Sequence, residues 1–545
     1  MSGRLDRASL HARLVAIGLG SDRAAEVAAA LEPRLRALWA GQDPSHSLTA
    51  PATSFSPMTV PSPQPRFGQD LVRRAASPPS AQRGAHRANP FRPVGAAEAS
   101  TGLANGSATS VSLLEAALEV VARTNPTLRA FVNVDEDTAR TQAAASDGRR
   151  RRRAQIGRAD GIALAVKDVI DVRGFPTTAG SRVLANQPPA RRDAEAVARL
   201  RAAGVVVLGK THTHEFALGG TGENGFLGNA CNPWDPSCVT GGSSSGSAVA
   251  VATGMAHAAL GTDAGGSVRG PAALCGVVGF KPTFGLVSLD GAVPSGWSLD
   301  HLGTLSPRVA DARLLLGIMT DRLGNARVPS TRPLRVGVPR RFFFDLLAPD
   351  VAGAIEGVID RIGSLGWERE ELDWPDRALA EAADSASWTI NAAEAAAYHD
   401  PWLDADGDAY GDDVRARLEL GMGLLASEYL RAQRLRRHVQ EALSPVWSSV
   451  DLLLTPACPV TAFRHGQVTV EVGGGSVPAA TTLNRCFRIA NMTGWPAITI
   501  PCGFGDDGLP IGVQLLAPPM YDDLLLDAAE ALEGTLQPTA QRAAS

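Results

Sequence analysis

Three stretches of sequence decide the fold: GIALAVKD at residues 161–168, AEAVARLRAA at 194–203 and VVVL at 205–208. The first and third stretches are short apolar runs of strand length. The middle stretch follows Asp193, a residue type that caps helices, and precedes Gly204, a residue type that ends them. A strand, a helix and a second strand in this order predict two parallel strands joined by a helical crossover.

The same alternation continues towards the end of the chain. Further apolar runs of strand length are LRVGVPR (334–340), DLLLTP (451–456), AITIPCGF (497–504) and IGVQLL (511–516). Apolar residues also recur at helical intervals at 351–365 and at 522–532. Interleaved strands and helices are typical of the α/β class, which we therefore predict for this chain.

The chain divides into three predicted segments. Leucine, isoleucine and valine recur at helical intervals within residues 1–42, which predicts a small helical extension. Proline, serine, alanine and glycine dominate residues 43–105 without a sustained period, as is typical of a linker. The main domain is predicted to occupy residues 106–540 and to begin with a helix whose capping box is Ser112 with Glu115.

Composition and charge exclude several classes of protein. The chain has 545 residues, 44% hydrophobic and 20% charged, so it can bury a large core. Its net charge of -4 supplies no positive field for a phosphate backbone, and no nucleic-acid partner is expected. The lack of a long apolar run and the charged N-terminus argue against a membrane span or signal peptide and favour a cytoplasmic protein. Six cysteines without a CxxC pair suggest neither zinc nor disulfides, so no metal and no cofactor is expected.

Lysine usage singles out three positions. Of 52 Lys and Arg residues, only Lys167, Lys210 and Lys281 are lysines. Arginine stays charged in proteins, so a chain that otherwise uses arginine leaves each lysine as a candidate for proton transfer, with coding bias as the alternative explanation. Lys167 lies at the end of a predicted strand, whereas Lys210 and Lys281 are interpreted as structural.

Two motifs are misleading. Residues 204–211 match the phosphate-binding pattern GxxxxGK[ST], but the four middle residues are apolar and predict a buried strand, so nucleotide binding is rejected. His212, His214 and Glu215 offer metal-ligand atoms, yet no second ligand cluster lies at a recognised spacing. A structural role is favoured for these three residues.

Two Gly/Ser-rich segments carry the chemistry. They are GGSSSGSA at 241–248 and GTDAGGSVR at 261–269. Glycines before a serine allow successive backbone N–H groups to turn towards one point, which is the geometry of an oxyanion hole. Either segment alone is explained equally well by a flexible turn. Together with Lys167, the serines at 243–245 and Ser267 supply a base, a relay and a nucleophile without histidine.

At these residues the chain resembles the amidase signature family. The resemblance rests on GIALAVKD, on GGSSSGSA and on GTDAGGSVRGPAALCGVVGFKPTFGLVS at 261–288, with NPWD upstream and DHLG at 300–303. It also includes DLLLTPACP and NMTGWPAITIPCGF, and it extends over residues 106–535. The N-terminal hundred residues fall outside it.

The resemblance implies a large mixed β-sheet wrapped by helices and a Ser, cis-Ser, Lys triad. In this triad Lys167 matches the family lysine, Ser243 the bridging serine and Ser267 the nucleophile. The implied oxyanion donors are the N–H groups of Ala264, Gly265 and Gly266. Thr240 and Ser245 depart from the family pattern, where many members have proline and glycine, but neither change removes a triad atom.

The predicted reaction is hydrolysis of a carboxylic amide to the acid and ammonia or an amine, through an acyl-enzyme on Ser267. Lys167 would act as general base through Ser243. One alternative is the amidase subunit of a tRNA-dependent amidotransferase, with the N-terminal helices as a fused small subunit. Another is a catalytically silent scaffold on an amidase fold.

Two expectations concern binding. Arg269 either binds a substrate carboxylate or forms a structural ion pair with Asp263. The expected partner is a small-molecule amide, held in an apolar pocket formed by Trp297 and by residues 388–398 and 481–495. A homodimer through the helical extension remains open.

Overall fold

A mixed β-sheet of eleven strands is the framework of the computed structural model, which describes residues 7–16, 19–40, 91–320 and 332–536. In their order across the sheet, its strands are β1 (Phe131–Val134), β3 (Val206–Thr211), β2 (Ala163–Lys167), β4 (Ala258–Thr262), β6 (Leu302–Ser306), β5 (Val278–Lys281), β12 (Ala497–Phe504), β13 (Pro510–Leu516), β9 (Leu452–Pro456), β7 (Arg335–Pro339) and β8 (Glu368–Leu372). The strands β10 (Thr469–Val472) and β11 (Gly475–Pro478) form a separate antiparallel pair.

Helices surround the sheet. In chain order they are α1 (Arg7–Ala16), α2 (Ser21–Ala40), α3 (Ala96–Asn105), α4 (Ser110–Leu128), α5 (Glu136–Arg151), α6 (Glu195–Ala202), α7 (Ser245–Thr253), α8 (Arg269–Cys275), α9 (Val309–Met319), α10 (Pro349–Ile359), α11 (Arg377–Asp406), α12 (Asp412–Met422), α13 (Ala426–Leu443), α14 (Ala479–Leu483), α15 (Arg488–Thr493) and α16 (Asp522–Leu536). In the described part of the chain, none of them combines the length and the apolar character that crossing a membrane requires.

The central strands contain the predicted parallel unit. β2 pairs in parallel with β3, where Ala163 lies beside Val206, and with β4 on its other side. All residues of these three strands are buried, as expected for parallel strands covered on both faces. The α/β class is therefore confirmed. The rejected phosphate-binding pattern is indeed a strand, since Lys210 lies in β3 and Gly204 ends the preceding helix with a φ of 89°.

The segment predicted as a linker contains a helix at its C-terminal end. Ala96–Asn105 form α3, whose apolar side chains are buried in the main hydrophobic cluster. The Ala97 N–H donates to a carboxylate oxygen of Asp311 in α9, at 2.7 Å. A helix held by a residue so distant in sequence has no local signal, which is why the sequence predicts a linker there. The other predicted linker residues lie largely outside the described ones, which resume at residue 91.

The helix α4 differs from its prediction at its start. It begins at Ser110, and its capping box joins Thr109 and Ser112 rather than Ser112 and Glu115. The Ser112 N–H donates to Thr109 Oγ1, and the Thr109 N–H donates to Ser112 Oγ, both at 3.0 Å. The helix also continues through Pro126, because a proline in the last turn removes only one intrahelical hydrogen bond.

The helical extension packs against the main body. α1 lies on α2, and α2 contacts α11, α12 and α13. The leucines on the inner faces of both helices are fully buried and belong to the same hydrophobic cluster as side chains of α11 and α13. Two ion pairs flank this contact, Arg13 with Glu428 at 3.1 Å and Arg23 with Glu419 at 2.7 Å. The extension therefore shares a core with the helices beside it.

Candidate active site

Two parallel strands bring Lys167 and Thr262 together. Lys167 is the last residue of β2 and Thr262 the last residue of β4, and the carboxyl ends of parallel neighbours lie at the same edge of a sheet. Lys167 Nζ lies 2.9 Å from Thr262 Oγ1 and 2.7 Å from Ser243 Oγ. The predicted base and the predicted relay serine thus share a direct hydrogen bond in a buried setting.

The loop before α7 holds Ser243. The peptide bond between Gly242 and Ser243 is cis. The His214 N–H donates to the Ser243 carbonyl at 3.2 Å, and the Ser244 N–H donates to the Ser267 carbonyl at 3.1 Å. The second bond ties the loop of the relay serine to the loop of the predicted nucleophile. Ser245 begins the helix α7, so its departure from the family pattern introduces no left-handed residue.

The carboxylate of Asp263 organises the loop that carries Ser267. One oxygen accepts the Gly266 N–H at 2.8 Å, and the other accepts the Val268 N–H at 3.1 Å. Arg269 donates to both oxygens, at 2.9 and 3.0 Å, and this ion pair is fully buried. Burial alone would raise the pKa of Asp263, but the Arg269 guanidinium holds this pKa well below its usual range. The loop therefore folds around a permanent negative charge.

Arg269 has no capacity left for a substrate. Besides Asp263, it donates to the side-chain oxygens of Gln514 and Asn491, both at 2.7 Å, and to the Phe487 carbonyl at 3.2 Å. Its side chain is completely buried and does not line the pocket beside Ser267. Of the two alternatives for Arg269, the geometry shows the structural ion pair and excludes substrate binding.

The three predicted oxyanion donors lie in this loop but differ in availability. Within the described residues, the N–H groups of Ala264 and Gly265 have no hydrogen-bond acceptor, whereas the Gly266 N–H donates to Asp263. Gly266 has a φ of 118°, and a Cβ there would stand 2.4 Å from Phe487 Cδ2. Only glycine fits this position. Two of the three donors can therefore turn to a ligand without breaking an existing bond.

Burial changes the basicity of Lys167. Removal from water lowers the pKa of Lys167 to about 7, although the carboxylates of Asp300 and Asp263 favour its charged form. An exposed lysine, with a pKa of about 10.4, is almost fully protonated at neutral pH. With a pKa of about 7, roughly half of the Lys167 amines are neutral at pH 7 and can accept a proton.

Thr262 and Asp300 belong to the surroundings of Lys167, and the sequence did not identify either. Asp300 is buried, and one of its oxygens accepts the N–H groups of Ser295 at 2.9 Å and Gly296 at 3.1 Å. Burial raises the pKa of Asp300 to about 7, and Lys167 acts in the opposite direction. Both residues lie in motifs noted above, GTDAGGSVR and DHLG, but no local spacing connects them to Lys167.

A pocket opens beside Ser267. Its lining consists of Ala217, Gly219, Ala264, Gly265, Ser267, Ser295, Ser387, Trp388, Asn391, Arg417, Asn484 and Arg488. Ser267 is the partly exposed member of the predicted triad, whereas Lys167 and Ser243 are buried. A molecule entering the pocket would therefore meet Ser267 rather than the lysine.

The pocket is more polar than predicted. The segments 388–398 and 481–495 do contribute to its wall, but Trp297 is 47% exposed and takes no part in it. Two guanidinium groups lie in the lining, those of Arg417 and Arg488. The buried Arg417 Nε has no acceptor within the described residues. The sequence missed Arg417 because α12 carries none of the motifs.

The relay between the two serines is not closed in this structure. No side-chain hydrogen bond joins Ser243 and Ser267 among the described residues. Their loops are joined instead by Ser244, whose N–H donates to the Ser267 carbonyl and whose Oγ donates to the Thr262 carbonyl at 3.3 Å. Catalytic hydrogen bonds are often long or misaligned in unliganded enzymes and shorten when substrate binds.

The other noted residues are structural. Lys210 pairs with Asp168 at 2.8 Å, and Lys281 donates to the Trp495 carbonyl at 2.7 Å. Burial lowers the pKa of His212 to about 4, so this imidazole is neutral at physiological pH. The described ranges contain no group of three or more His, Cys, Asp or Glu residues arranged to hold a metal ion.

Comparisons with known proteins identify relatives of this chain. The family model described as Amidase matches residues 112–526. The A subunit of the glutamyl-tRNA(Gln) amidotransferase from Chloroflexus aurantiacus is 38% identical over 472 residues, which cover 80% of this chain and 95% of the relative. A crystal structure of an amidase has a TM-score of 0.77 at 35% identity and covers 82% of this chain and 100% of that one. A structure described as a vestigial protein complex that reveals the evolutionary origins of an s-triazine catabolic enzyme has a TM-score of 0.76 at 34% identity, with the same coverage.

The matched residues contain the whole central sheet. All eleven of its described strands lie within 112–526, as do Lys167, Ser243 and Ser267. An identity of 38% over four fifths of the chain exceeds what a shared fold alone would require. The chain therefore belongs to the amidase signature family and is an enzyme that acts on carbon–nitrogen amide bonds.

Proposed function

We propose that the chain hydrolyses a carboxylic amide through an acyl-enzyme on Ser267, with Lys167 as the base and Ser243 as the relay. The observation that carries this proposal is the 2.7 Å hydrogen bond between a buried lysine, whose pKa falls to about 7, and Ser243. A lysine that only supplied charge would need neither this low pKa nor a serine partner.

The proposed reaction has two halves. Neutral Lys167 accepts the Ser243 proton while Ser243 takes the Ser267 proton, and the Ser267 oxygen bonds to the amide carbonyl carbon. The N–H groups of Ala264 and Gly265 donate to the developing oxyanion. The carbon–nitrogen bond then breaks, and the relayed proton leaves with ammonia or an amine. Water, deprotonated by the same route, adds to the acyl carbon and releases the acid and Ser267.

The charges of the pocket support an amide that carries an anionic group. Arg417 and Arg488 line the pocket, and of the two only Arg488 forms an ion pair in the described residues, with Asp384. Arg417 instead donates to the Leu218 carbonyl at 3.1 Å and to Asn391 Oδ1 at 2.6 Å, and its buried Nε–H stays unpaired there. Guanidinium groups recognise carboxylates well, so an amide with a carboxylate, such as glutamine, fits this pocket.

The comparisons favour a more specific function over a self-sufficient amidase. The Chloroflexus relative described above is one component of a glutamyl-tRNA(Gln) amidotransferase. If this chain works in the same way, it liberates ammonia within an assembly instead of releasing it to solvent. The expectation that nucleic acid plays no part is weakened accordingly, because the substrate of such an assembly is an aminoacylated tRNA. The helices α1 and α2 would then play the part of a fused small subunit.

Ammonia release by the purified chain tests these functions. We expect release from glutamine and a lower kcat/KM, by about tenfold or more, for butyramide, which lacks the carboxylate. Release from many amides by the chain alone would favour a self-sufficient amidase. Release that requires aminoacylated tRNA together with a partner protein would favour the amidotransferase function.

A catalytically silent scaffold would give a third result. In that case no amide is hydrolysed, and Ser267 does not react with an acylating or phosphonylating probe. Mass spectrometry of the labelled peptide that contains Ser267 distinguishes this outcome from a simple failure to find the substrate.

A further inference from the structure

The helix pair α1–α2 reaches the substrate pocket through Arg34. The guanidinium carbon of Arg34, on α2, lies 4.1 Å from the centre of a Trp388 ring. Trp388, on α11, lines the pocket beside Ser267. One turn earlier on α11, Ser385 Oγ donates to the Arg34 carbonyl at 2.7 Å. Both the backbone and the side chain of Arg34 are therefore fixed against the helix that forms this wall.

The stacking contact is well sheltered from water. Trp388 is only 5% exposed and belongs to the hydrophobic cluster that includes the leucines of α1 and α2. Leu14 and Leu31 approach Gly423 so closely that a Cβ there would lie 2.6 Å and 3.1 Å from their methyl carbons. A cation stacked on tryptophan gains more when the pair is desolvated than when it is exposed. The packing of the helix pair thus strengthens the contact at the pocket.

Arg34 also contributes to the charge of the pocket. The pKa of Arg34 is lowered to about 10, mainly by burial and to a smaller extent by repulsion from Arg488, whereas Asp384 raises this pKa. The pKa of Arg417 is lowered to about 9, mainly by burial and to a smaller extent by repulsion from Arg488 and Arg34. Arg34 and Arg417 are therefore both repelled by Arg488, and Arg417 also by Arg34, while the Asp384 carboxylate pairs with Arg488.

We propose that Arg34 is a positioning residue of the active site: by stacking on Trp388 it fixes one wall of the pocket that Ser267 lines, and the N-terminal helix pair is thereby a working part of the site. The inference rests on the proposed function, because it takes the pocket beside Ser267 as the place where substrate binds. No motif of the sequence connects residues 1–42 with catalysis, so the connection follows from the three-dimensional contact alone.

The test uses a probe that requires no knowledge of the natural substrate. An alkyl fluorophosphonate reacts when the Ser267 oxygen bonds to phosphorus, fluoride leaves, and the Ser267 proton passes to Lys167 through Ser243. The dependence of the labelling rate on probe concentration gives KI for binding in the pocket and kinact for the chemical step. These two constants separate positioning of the pocket from catalytic chemistry.

Arg34→Ala is expected to raise KI by about 5- to 20-fold and to leave kinact within about twofold, because the stacking contact is lost while the triad is untouched. Trp388→Ala should raise KI as well. The double variant should be no worse than Trp388→Ala alone, because both changes remove one interaction. Arg34→Lys, which keeps the cation, should recover part of the affinity.

Arg36→Ala is the matched control. Arg36 lies on the same helix, is more than half exposed and pairs with Glu32 rather than with the pocket. It should keep the KI of the parent protein. Melting temperatures of all variants report on folding, and Arg34→Gln, which keeps much of the side-chain length, replaces Arg34→Ala in the cycle if the latter does not fold.

Each outcome bears on one proposal. A parent protein that is not labelled at Ser267 overturns the proposed function, and this inference with it. A labelled parent protein together with an Arg34→Ala variant whose KI equals that of Arg36→Ala overturns the inference alone. If the effects of Arg34→Ala and Trp388→Ala on KI are additive, the inference alone is overturned as well, since additivity would show that Arg34 acts without Trp388.

Discussion

At the scale of single residues, burial and the charges around Lys167 set the pKa of this lysine, the proposed base. Burial disfavours the ammonium form, while Asp300 and Asp263 favour it, and the result is a pKa of about 7. A base is active when it is neutral. The value of kcat/KM should therefore rise with pH through about 7 and level off above it.

The first prediction that uses a substitution concerns Lys167→Arg, which keeps a positive charge but cannot supply a neutral base. Activity should fall by roughly 10² to 10⁴, the contribution of general-base catalysis. Ser267→Ala should be at least as damaging because the covalent route is lost, and Ser243→Ala should be less damaging than Ser267→Ala because water can replace part of the relay. Steady-state kinetics measure the order, and circular dichroism checks each fold. A folded Lys167→Arg protein within about tenfold of the parent would refute the mechanism.

The second prediction concerns Asp300→Asn. Its carboxylate favours the charged form of Lys167, so its removal should lower the pKa of Lys167 further. The rising limb of kcat/KM against pH should move to lower pH, by up to about one unit. Asp311→Asn is the control, because Asp311 is another buried carboxyl group, with its pKa raised by burial to about 6, at the start of α9. If the rising limb of the pH profile does not move in Asp300→Asn, or moves equally in both variants, Asp300 does not influence the pKa of Lys167.

Some of these residues could be predicted and others could not, for a physical reason. Lys167, Ser243 and Ser267 lie in dense local motifs, and the structure brings Lys167 and Ser243 into direct contact. Thr262, Asp300 and Arg417 act through contacts between distant segments, which leave no local pattern. Arg269 lay in the right motif, but its role depended on Asn491 and Gln514, far along the chain.

At the scale of elements, buried leucines hold α1 and α2 against the main body. Leu31→Ala should lower the free energy of unfolding by about 2–5 kcal/mol, because Leu31 is fully buried and a cavity would remain. Val15→Ala, on the 42% exposed position of α1, should change it by less than about 0.5 kcal/mol. Urea denaturation measures both. If both substitutions changed the free energy of unfolding by the same small amount, α1 and α2 would not unfold cooperatively with the main body.

The elements followed from the sequence wherever their signals were local. The apolar runs of β2, β3, β9, β12 and β13 had the length and composition of strands, and the parallel pairing of β2 with β3 followed from the crossover. α3 was missed because its first turn is held by Asp311 from α9. The start of α4 shifted because Thr109 and Ser112 offered a better capping pair than Ser112 and Glu115.

At the scale of the whole molecule, one chain provides every group of the proposed reaction. The base comes from the end of β2, the nucleophile and oxyanion donors from the segment after β4, and the relay from the loop before α7. We therefore expect ammonia release to stay within about twofold after dialysis against EDTA, with a zinc metalloprotease as the positive control for chelation. Loss of activity that added zinc restores would contradict the proposed chemistry.

The covalent continuity of α1–α2 with the catalytic body has a consequence for assembly. Two separate chains joined by the same contacts would dissociate on dilution. The fraction of molecules with an intact pocket wall would then fall as the protein concentration falls. Within one chain the association is intramolecular, so its occupancy does not depend on how much protein is present. Because one chain carries both Arg34 and Trp388, every molecule contains both partners of the contact. The specific activity per chain should therefore be the same in a nanomolar as in a micromolar solution.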